Sequence, residues 1–176
     1  MPDGTHHFTV GSFRCIAIND EREAGGQAED DGSDGWGFVN ASSEEVQAVF
    51  AAHRHGPNAW QRGVACTCLL IDTGRHRVLI DTGSGEQALP TGGLLLSRLA
   101  EEGIDRESID TVILTHGHWD HIGANADDAG RPTFPHARYL MTEDEFRHWT
   151  EDPSPFGGDI GDQGRRYATA NLKAIR

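Results

Sequence analysis

Three histidines and one aspartate lie within six consecutive residues, directly after an apolar stretch of the chain. These candidate metal ligands are His116, His118, Asp120 and His121, in the segment THGHWDHIG. Neutral imidazole is the commonest metal ligand in proteins and suits Zn, Fe, Ni and Cu. The competing interpretation is a polar surface loop with histidines by chance, and the density of this cluster after an apolar strand argues strongly against it.

The spacing of these side chains decides which backbone can bring them together. Residues two apart share a face in an extended chain but not on a helix, so His116 and His118 are predicted to bind one ion from an extended turn. Asp120 and His121 follow where the chain can bend into a helix, and are predicted to reach a second position. Two ions about 3.5–4 Å apart can share a water whose pKa falls to about 7. The pattern therefore predicts a metal-bound hydroxide, with Asp120 as the catalytic residue that orients it and passes on a proton.

Alternating strands and helices are predicted around this turn. Strands are predicted at 8–19, 64–72, 77–81, 109–114 and 137–141, and helices at 42–53, 92–102, near 122–126, at 143–150 and at 165–176. The strands 64–72 and 77–81 form a hairpin around a short turn that contains Gly. The strand 109–114 is apolar almost throughout, which is typical of an interior strand. This mixture predicts an α/β (α+β) fold.

Length and charge narrow the classes of function. A chain of 176 residues predicts one domain, and 15 Lys+Arg against 28 Asp+Glu give a net charge of −13. That charge disfavours binding to nucleic acid and to anionic membranes. We find no signal-peptide pattern in the sequence. We also find no apolar run as long as the ~20 residues that span a bilayer. We therefore expect a cytoplasmic protein that acts on a small-molecule substrate.

Two further segments carry predictions of a simpler kind. The segment 20–37, with seven acidic residues and five glycines, is predicted to be a solvated loop. Cys66 and Cys68 share one face of a predicted strand, and three cysteines in all do not make a disulfide framework. They are predicted to be small buried apolar side chains and not a metal-binding pair.

The segment THGHWDHIG resembles the metal-binding motif H-x-H-x-D-H of the metallo-β-lactamase superfamily. Across roughly residues 8–150, the strands ending in LIDTG, the phrase IDTVILTH and the segment FPHARYLMTEDEF are similar to the N-terminal half of its αββα sandwich. They most resemble the branch that contains N-acyl-homoserine lactonases and methyl parathion hydrolase. The resemblance implies hydrolysis of a lactone, ester or organophosphate with two Zn²⁺ ions in a complete site, or with Mn, Fe or Co. Glyoxalase II-type thioester hydrolysis and sulfur dioxygenation are alternatives on the same fold.

The resemblance also implies a role for each residue of the motif. His116 and His118 match ligands of the first metal, and Asp120 and His121 match ligands of the second. Asp81, in the second LIDTG, matches an aspartate that supports a ligand by a hydrogen bond. Its counterpart in the first LIDTG, Asp72, is predicted to lie in the hairpin turn.

Other ligands that the resemblance calls for have no matching motif in this chain. A third histidine, a bridging aspartate and a final histidine lie further downstream in the family. Only His136 and His148 follow His121, and they are predicted to be solvated and exposed, respectively. We therefore expect residues 1–176 to form a single domain that corresponds to the front half of such a hydrolase. The alternative function is an inactive or incomplete metal-binding fragment, and an exposed internal sheet predicts self-association into a homo-oligomer.

Overall fold

The computed structural model describes residues 4–21, 41–52, 66–85, 93–151 and 159–175. The chain divides into two compact units, one formed by Met1–Arg22 with Cys66–Arg176 and the other by Glu23–Ala65. Most of the loop predicted at 20–37 lies outside the described residues, as does the start of the helix predicted from residue 92. In the described part of the chain, no helix combines the length and the apolar character needed to cross a bilayer.

The first unit is built on a sheet whose described strands follow one another in sequence order. The strands are β1 (Thr5–Val10), β2 (Phe13–Asn19), β3 (Thr67–Asp72), β4 (Arg77–Ile80), β5 (Thr111–Ile113) and β6 (Arg138–Leu140). Strands β1 to β4 pair antiparallel, whereas β5 and β6 join in parallel. The helices are α1 (Ser43–Ala52), α2 (Leu95–Glu101), α3 (Trp119–Ile122), α4 (Glu143–Thr150) and α5 (Asp159–Ala174). The predicted α/β class is confirmed.

The single strand predicted at 8–19 is wrong, because this segment contains a tight hairpin. Val10 pairs with Phe13, which leaves Gly11 and Ser12 as a two-residue turn between β1 and β2. Gly11 has φ of 60°, the conformation that the first position of a type II′ turn requires. The apolar and β-branched residues continue on both sides of the turn, so their pattern hides the reversal of the chain.

The second predicted hairpin is confirmed. Strand β3 pairs antiparallel with β4, from Leu69 opposite Ile80 to Asp72 opposite Arg77. Asp72 lies at the turn as predicted, where its Oδ1 accepts a hydrogen bond of 2.7 Å from the Gly74 amide. The carboxylate therefore stabilises the hairpin and is committed to a local structural role.

The core lies under the middle of the sheet, where helices α2, α4 and α5 cover it. Strand β5 lies between β4 and β6 as the predicted interior strand, and Val112 pairs with Leu79, both fully buried. Helices contribute apolar side chains to the same cluster, including Leu95, Leu99, Trp149 and Leu172. This packing fixes the end of β5, from which the histidine segment emerges.

Two helix boundaries differ from the predictions. The helix predicted near 122–126 begins earlier, at Trp119, because His118 is extended (φ −68°, ψ 151°) and the chain turns directly after it. Helix α5 begins at Asp159, and its buried positions are Ala168, Asn171 and Leu172.

In the second unit, α1 begins as predicted, with Ser42 and Glu45 exchanging the hydrogen bonds of a capping box.

Candidate metal centre

The histidine segment follows the end of β5 as a non-helical turn that leads into α3. The Leu114 amide donates to the Leu140 carbonyl at 2.8 Å, so β6 holds the strand end in place. His118 is extended, and α3 then starts with the His121 amide donating to the His118 carbonyl at 3.0 Å. His116 and His118 therefore lie on the non-helical turn before α3, whereas Asp120 and His121 lie on the first turn of that helix.

The first two histidines bring one ring nitrogen each to the same place. His116 Nε2 lies 2.9 Å from His118 Nδ1, with ring centroids 4.6 Å apart at an interplanar angle of 76°. The His121 ring is also close, with its centroid 3.9 Å from that of His116. The structure therefore brings the three predicted imidazoles together.

Asp120 and His121 form a second pair of donor atoms. Asp120 Oδ2 lies 3.5 Å from His121 Nε2. Two ligand atoms of one tetrahedral ion, each about 2.0–2.1 Å from it, are themselves about 3.3 Å apart. The separations of 2.9 Å and 3.5 Å bracket that value, so each pair has the spacing of two ligands of one ion.

Each pair supplies two ligand atoms and no more. Among the described residues, no group of three or more His, Cys, Asp or Glu side chains is arranged to hold a metal ion. The donor chemistry suits divalent ions such as Zn²⁺, because imidazole and carboxylate are its usual ligands together with thiolate. The turn thus suits a divalent metal ion in its donor chemistry. Each pair offers two of the four ligand atoms that a tetrahedral ion takes.

Asp81 orients His121 from the neighbouring strand. Its Oδ2 lies 2.8 Å from His121 Nδ1, and its two oxygens accept 2.8 Å hydrogen bonds from the Thr115 amide and hydroxyl. An ionised carboxylate only accepts hydrogen bonds, so His121 Nδ1 must carry the proton. His121 Nε2 is then the free nitrogen that faces Asp120, as a metal ligand requires.

The electrostatics of the turn favour an ionised Asp81 and a neutral His116. Burial alone raises the pKa of Asp81, but the hydrogen bonds from His121 and Thr115 outweigh it and leave the pKa below its usual value. The hydrogen bond to Asp81 raises the pKa of His121, which favours a proton on both ring nitrogens, so a metal ion must compete with a proton for Nε2. Burial, together with the neighbouring imidazoles, lowers the pKa of His116, which keeps this ring neutral and its lone pair available.

The turn after β4 also holds the backbone of α3. The Thr82 amide donates to the His121 carbonyl at 2.7 Å, and the Gly123 amide donates to the Gly83 carbonyl at 2.7 Å. A Cβ atom on Gly123 would lie 2.0 Å from the carbonyl carbon of Ser84. Gly123, the last residue of the segment THGHWDHIG, is therefore required by this close approach of two backbones.

Asp20 anchors that turn, and the solvated loop predicted from residue 20 is wrong at this position. Asp20 is fully buried. Its Oδ2 accepts 2.7 Å hydrogen bonds from the amide and hydroxyl of Ser84, and its Oδ1 accepts one of 2.8 Å from the Leu95 amide. A buried carboxylate is stable here because backbone and hydroxyl donors replace the water that it loses. The sequence pattern concealed this role, because Asp20 is the first of a run of acidic residues.

Cys66 lies beside the candidate ligands, whereas Cys68 is buried as predicted. The Cys66 thiol lies 3.3 Å from Glu21 Oε1 and 3.8 Å from Asp120 Oδ2. Burial and the Glu21 carboxylate raise its pKa. The prediction of an apolar packing role is wrong for Cys66, whose sulfur is half-buried among carboxylates.

The remaining aromatic and histidine side chains near the motif have other surroundings. Trp119 is 39% exposed, so it is not packed beneath the turn. His136 is exposed as predicted, and its Nδ1 lies 3.1 Å from the Glu107 carbonyl oxygen. His148 is half-buried, with its ring centroid 5.4 Å from that of Trp149, so the prediction that it is exposed is wrong.

Comparison with protein families gives a match over most of the chain. The sequence profile of the Metallo-beta-lactamase superfamily matches residues 62–171, which include every candidate ligand and Asp81. Two curated relatives share a shorter segment, and both are described as an atrochrysone carboxyl ACP thioesterase. The protein from Aspergillus fumigatus is 44% identical over 59 residues (33% of this chain and 13% of the relative), and that from Passalora fulva is 45% identical over 58 residues (33% and 16%).

Solved structures share the fold over nearly the whole chain. The dizinc quorum-quenching lactonase AidC superposes with a TM-score of 0.79 at 21% identity, covering 98% of this chain and 58% of its own. The hydrolase AbOPH superposes with a TM-score of 0.71 at 22% identity, covering 99% of this chain and 56% of its own. A probable metal-dependent hydrolase from Staphylococcus aureus superposes with a TM-score of 0.61 at 20% identity, covering 96% of this chain and 57% of its own. The chain thus spans less than three fifths of these structures, and its matching segment spans under one fifth of each curated relative.

Proposed function

Because this chain belongs to the metallo-beta-lactamase superfamily, we propose that it carries half of the ligands of a metal-dependent hydrolase. His116 and His118 would bind one divalent ion, and Asp120 and His121 the other. The ions would be Zn²⁺, or Mn, Fe or Co in its place. The observation that carries this proposal is the pair of donor separations, 2.9 Å and 3.5 Å, on one turn at the end of β5.

The bound ions would supply a water of lowered pKa, to about 7, and positive charge beside the oxygen that becomes negative during hydrolysis. The chain's own residues would set the geometry for that chemistry. Asp81 holds the proton on His121 Nδ1 and so keeps Nε2 free. Asp120 would accept the proton of the attacking water on its carboxylate and deliver it to the leaving group.

A small ester is the substrate class that we propose first, in the form of a lactone, an open ester or an organophosphate. The fold is shared with the lactonase AidC, whose structure contains N-hexnoyl-L-homoserine as product. The net charge of −13 favours a neutral or cationic substrate over a polyanion such as nucleic acid. A small-molecule substrate also suits the exposed Trp119, which can offer an apolar surface beside the ligands.

A thioester is the second candidate substrate, and a separate observation favours it. The two curated relatives are thioesterases, and each is at least 44% identical to this chain over its matching segment of about one third of the chain. A thioester presents the same carbonyl to the nucleophile as an ester does, and differs in its sulfur leaving group. Cys66, whose thiol lies 3.8 Å from Asp120 Oδ2, would lie near the path of that leaving group if it departs on the Asp120 side.

Two ligand atoms per position imply weak metal binding by the described residues alone. The described residues supply no third ligand to either position. We therefore propose that this stretch of chain turns over slowly by itself, and that the remaining ligands must come from residues outside the described part. If its turnover is zero, this stretch of chain is a metal-binding fragment without activity.

The experiment measures zinc per chain and turnover in the same samples. The purified chain is loaded with Zn²⁺ and assayed with a homoserine lactone, an acyl thioester and paraoxon. The double variant His116→Ala/His118→Ala is compared with His136→Ala, a matched control that removes an exposed histidine outside the turn. We expect metal-dependent turnover that the double variant abolishes and the control retains.

Each outcome decides between the candidates. Preference for the lactone or for the thioester selects the substrate class, and two zinc ions per chain with turnover would refute the fragment alternative. Bound zinc without turnover would leave the fragment as the function. Turnover that survives in the double variant would refute the proposed ligands.

A further inference from the structure

Helix α4 sends one carboxylate back to the histidine turn. Glu145 lies in the first turn of α4, whose N-cap is Thr142. Its Oε1 accepts a hydrogen bond of 2.8 Å from the Gly117 amide and one of 2.7 Å from the Trp149 indole nitrogen. Gly117 is the residue between His116 and His118, so the carboxylate holds the peptide that joins the two candidate ligands.

The Trp149 indole sets how closely the turn can approach α4. Gly117 is buried, and a Cβ atom at this position would lie 2.3 Å from Trp149 Cδ1. The His118 ring meets the same indole edge-on, with centroids 5.6 Å apart. The turn therefore rests on a rigid aromatic surface, and Glu145 binds both that surface and the turn.

We infer that Glu145 is a positioning residue that fixes the separation of His116 and His118 for binding a divalent ion, an inference that rests on the proposed function. The Gly117 N–H lies on the backbone between the two ligands, so holding it restricts the torsions that set their separation. Hydrogen bonds to an ionised acceptor are about twice as strong as neutral ones. A strong hydrogen bond is needed here because a single carboxylate oxygen, Glu145 Oε1, holds the Gly117 amide. Without an acceptor, the buried Gly117 amide would be satisfied only if the turn moved toward water.

A purely structural role is the alternative. In that case Glu145 would serve only to anchor Trp149 within α4, four residues further along the helix. Loss of Glu145 would then lower stability without changing the affinity of the turn for metal. The two roles differ in what happens at Gly117 and in the strength of zinc binding.

The test compares Glu145→Ala and Glu145→Gln with Asp144→Ala. The amide oxygen of Gln can accept the same two hydrogen bonds, whereas Ala removes them. Asp144 is an exposed neighbour on the same helical turn, so its removal matches the change in charge. Zinc affinity is measured by competition with a chelating dye, and hydrogen exchange of the Gly117 amide and the Trp149 indole is followed by NMR in metal-free protein.

We expect Glu145→Ala to expose the Gly117 amide to exchange and to weaken zinc binding about 10–100-fold, the usual effect of losing a group that orients ligands. Glu145→Gln should restore both properties, and Asp144→Ala should leave both unchanged. Zinc affinity in Glu145→Ala equal to that of the wild type would overturn the inference while leaving the proposed function intact. A wild-type chain that binds no zinc would instead overturn the proposed function. Slow exchange at Gly117 in that chain would still show that Glu145 holds the Gly117 amide.

Discussion

At the scale of single residues, the orientation of His121 depends on Asp81. Asp81 is the one described non-glycine residue with positive φ, at 59°. Its backbone amide donates to the Ile113 carbonyl at 2.9 Å, which ties it to β5 just before the histidine turn. A left-handed backbone is tolerated by Asp and Asn better than by most residues, and here it directs the carboxylate at His121 and Thr115.

Replacement of Asp81 by Asn tests this orientation. The Asn oxygen must still accept from the Thr115 amide, so its NH₂ group would face His121 Nδ1 and force the proton onto Nε2. We predict that zinc affinity falls about 10–100-fold. Asp72→Asn is the matched control, because Asp72 occupies the same place in the other LIDTG segment but bonds only within its hairpin and to Arg14. Equal zinc affinity in the two variants, measured by dye competition, would refute the role of Asp81.

The candidate ligands could be predicted from sequence because their signal is local. Three imidazoles and a carboxylate within six residues carry their own spacing, and the structure brings them together. Asp20 and Glu145 reach the site from 64 and 28 positions away from their partners Ser84 and Gly117. A single sequence contains no pattern for such contacts, since they arise only when strands and helices pack.

At the scale of elements, two turns depend on one another. The turn of residues 81–85 follows β4, and the histidine turn follows β5, its parallel neighbour. Hydrogen bonds from Thr82 to His121 and from Gly123 to Gly83 join them. Both turns lie at the carboxyl ends of adjacent parallel strands, where α/β folds commonly place their sites. The position of the ligands is therefore a property of this pair of turns.

Asp20 follows the end of β2 and binds the turn of residues 81–85. Its replacement therefore tests whether the packing of this turn stabilises the fold. Asp20→Asn would set an NH₂ group against buried backbone donors and leave at least one of them without an acceptor. We predict a loss of at least about 1–3 kcal/mol in the free energy of unfolding, the cost of one unsatisfied buried group. Glu101→Gln, the same chemical change on the exposed side of α2, should have little effect. Urea unfolding measures both, and an unchanged midpoint in Asp20→Asn would contradict this account.

The elements were predicted well where polar residues mark their ends. Hairpin β3–β4 and strand β5 match, because Gly and charged residues bound their apolar runs. Hairpin β1–β2 was missed because apolar residues flank its Gly-Ser turn on both sides. Helix α3 begins earlier than the sequence predicts, because the chain turns directly after the extended His118 and no capping side chain marks this start.

At the scale of the whole molecule, membership of the family accounts for the fold. The chain belongs to the metallo-beta-lactamase superfamily and shares its fold with AidC over 58% of the AidC chain. In the described residues, the candidate ligands lie in two close pairs, His116 with His118 and Asp120 with His121. The α/β class could be predicted from alternating strand and helix patterns. The division into two compact units could not, because it depends on which distant segments pack together.

Anomalous diffraction from crystals grown with Zn²⁺ tests the central claim most directly, because it locates the ion itself. We predict one peak at about 2.0–2.1 Å from both His116 Nε2 and His118 Nδ1, and a second beside Asp120 Oδ2 and His121 Nε2. A histidine turn without a peak, with zinc bound only at other histidines such as His6 and His7, would contradict the account.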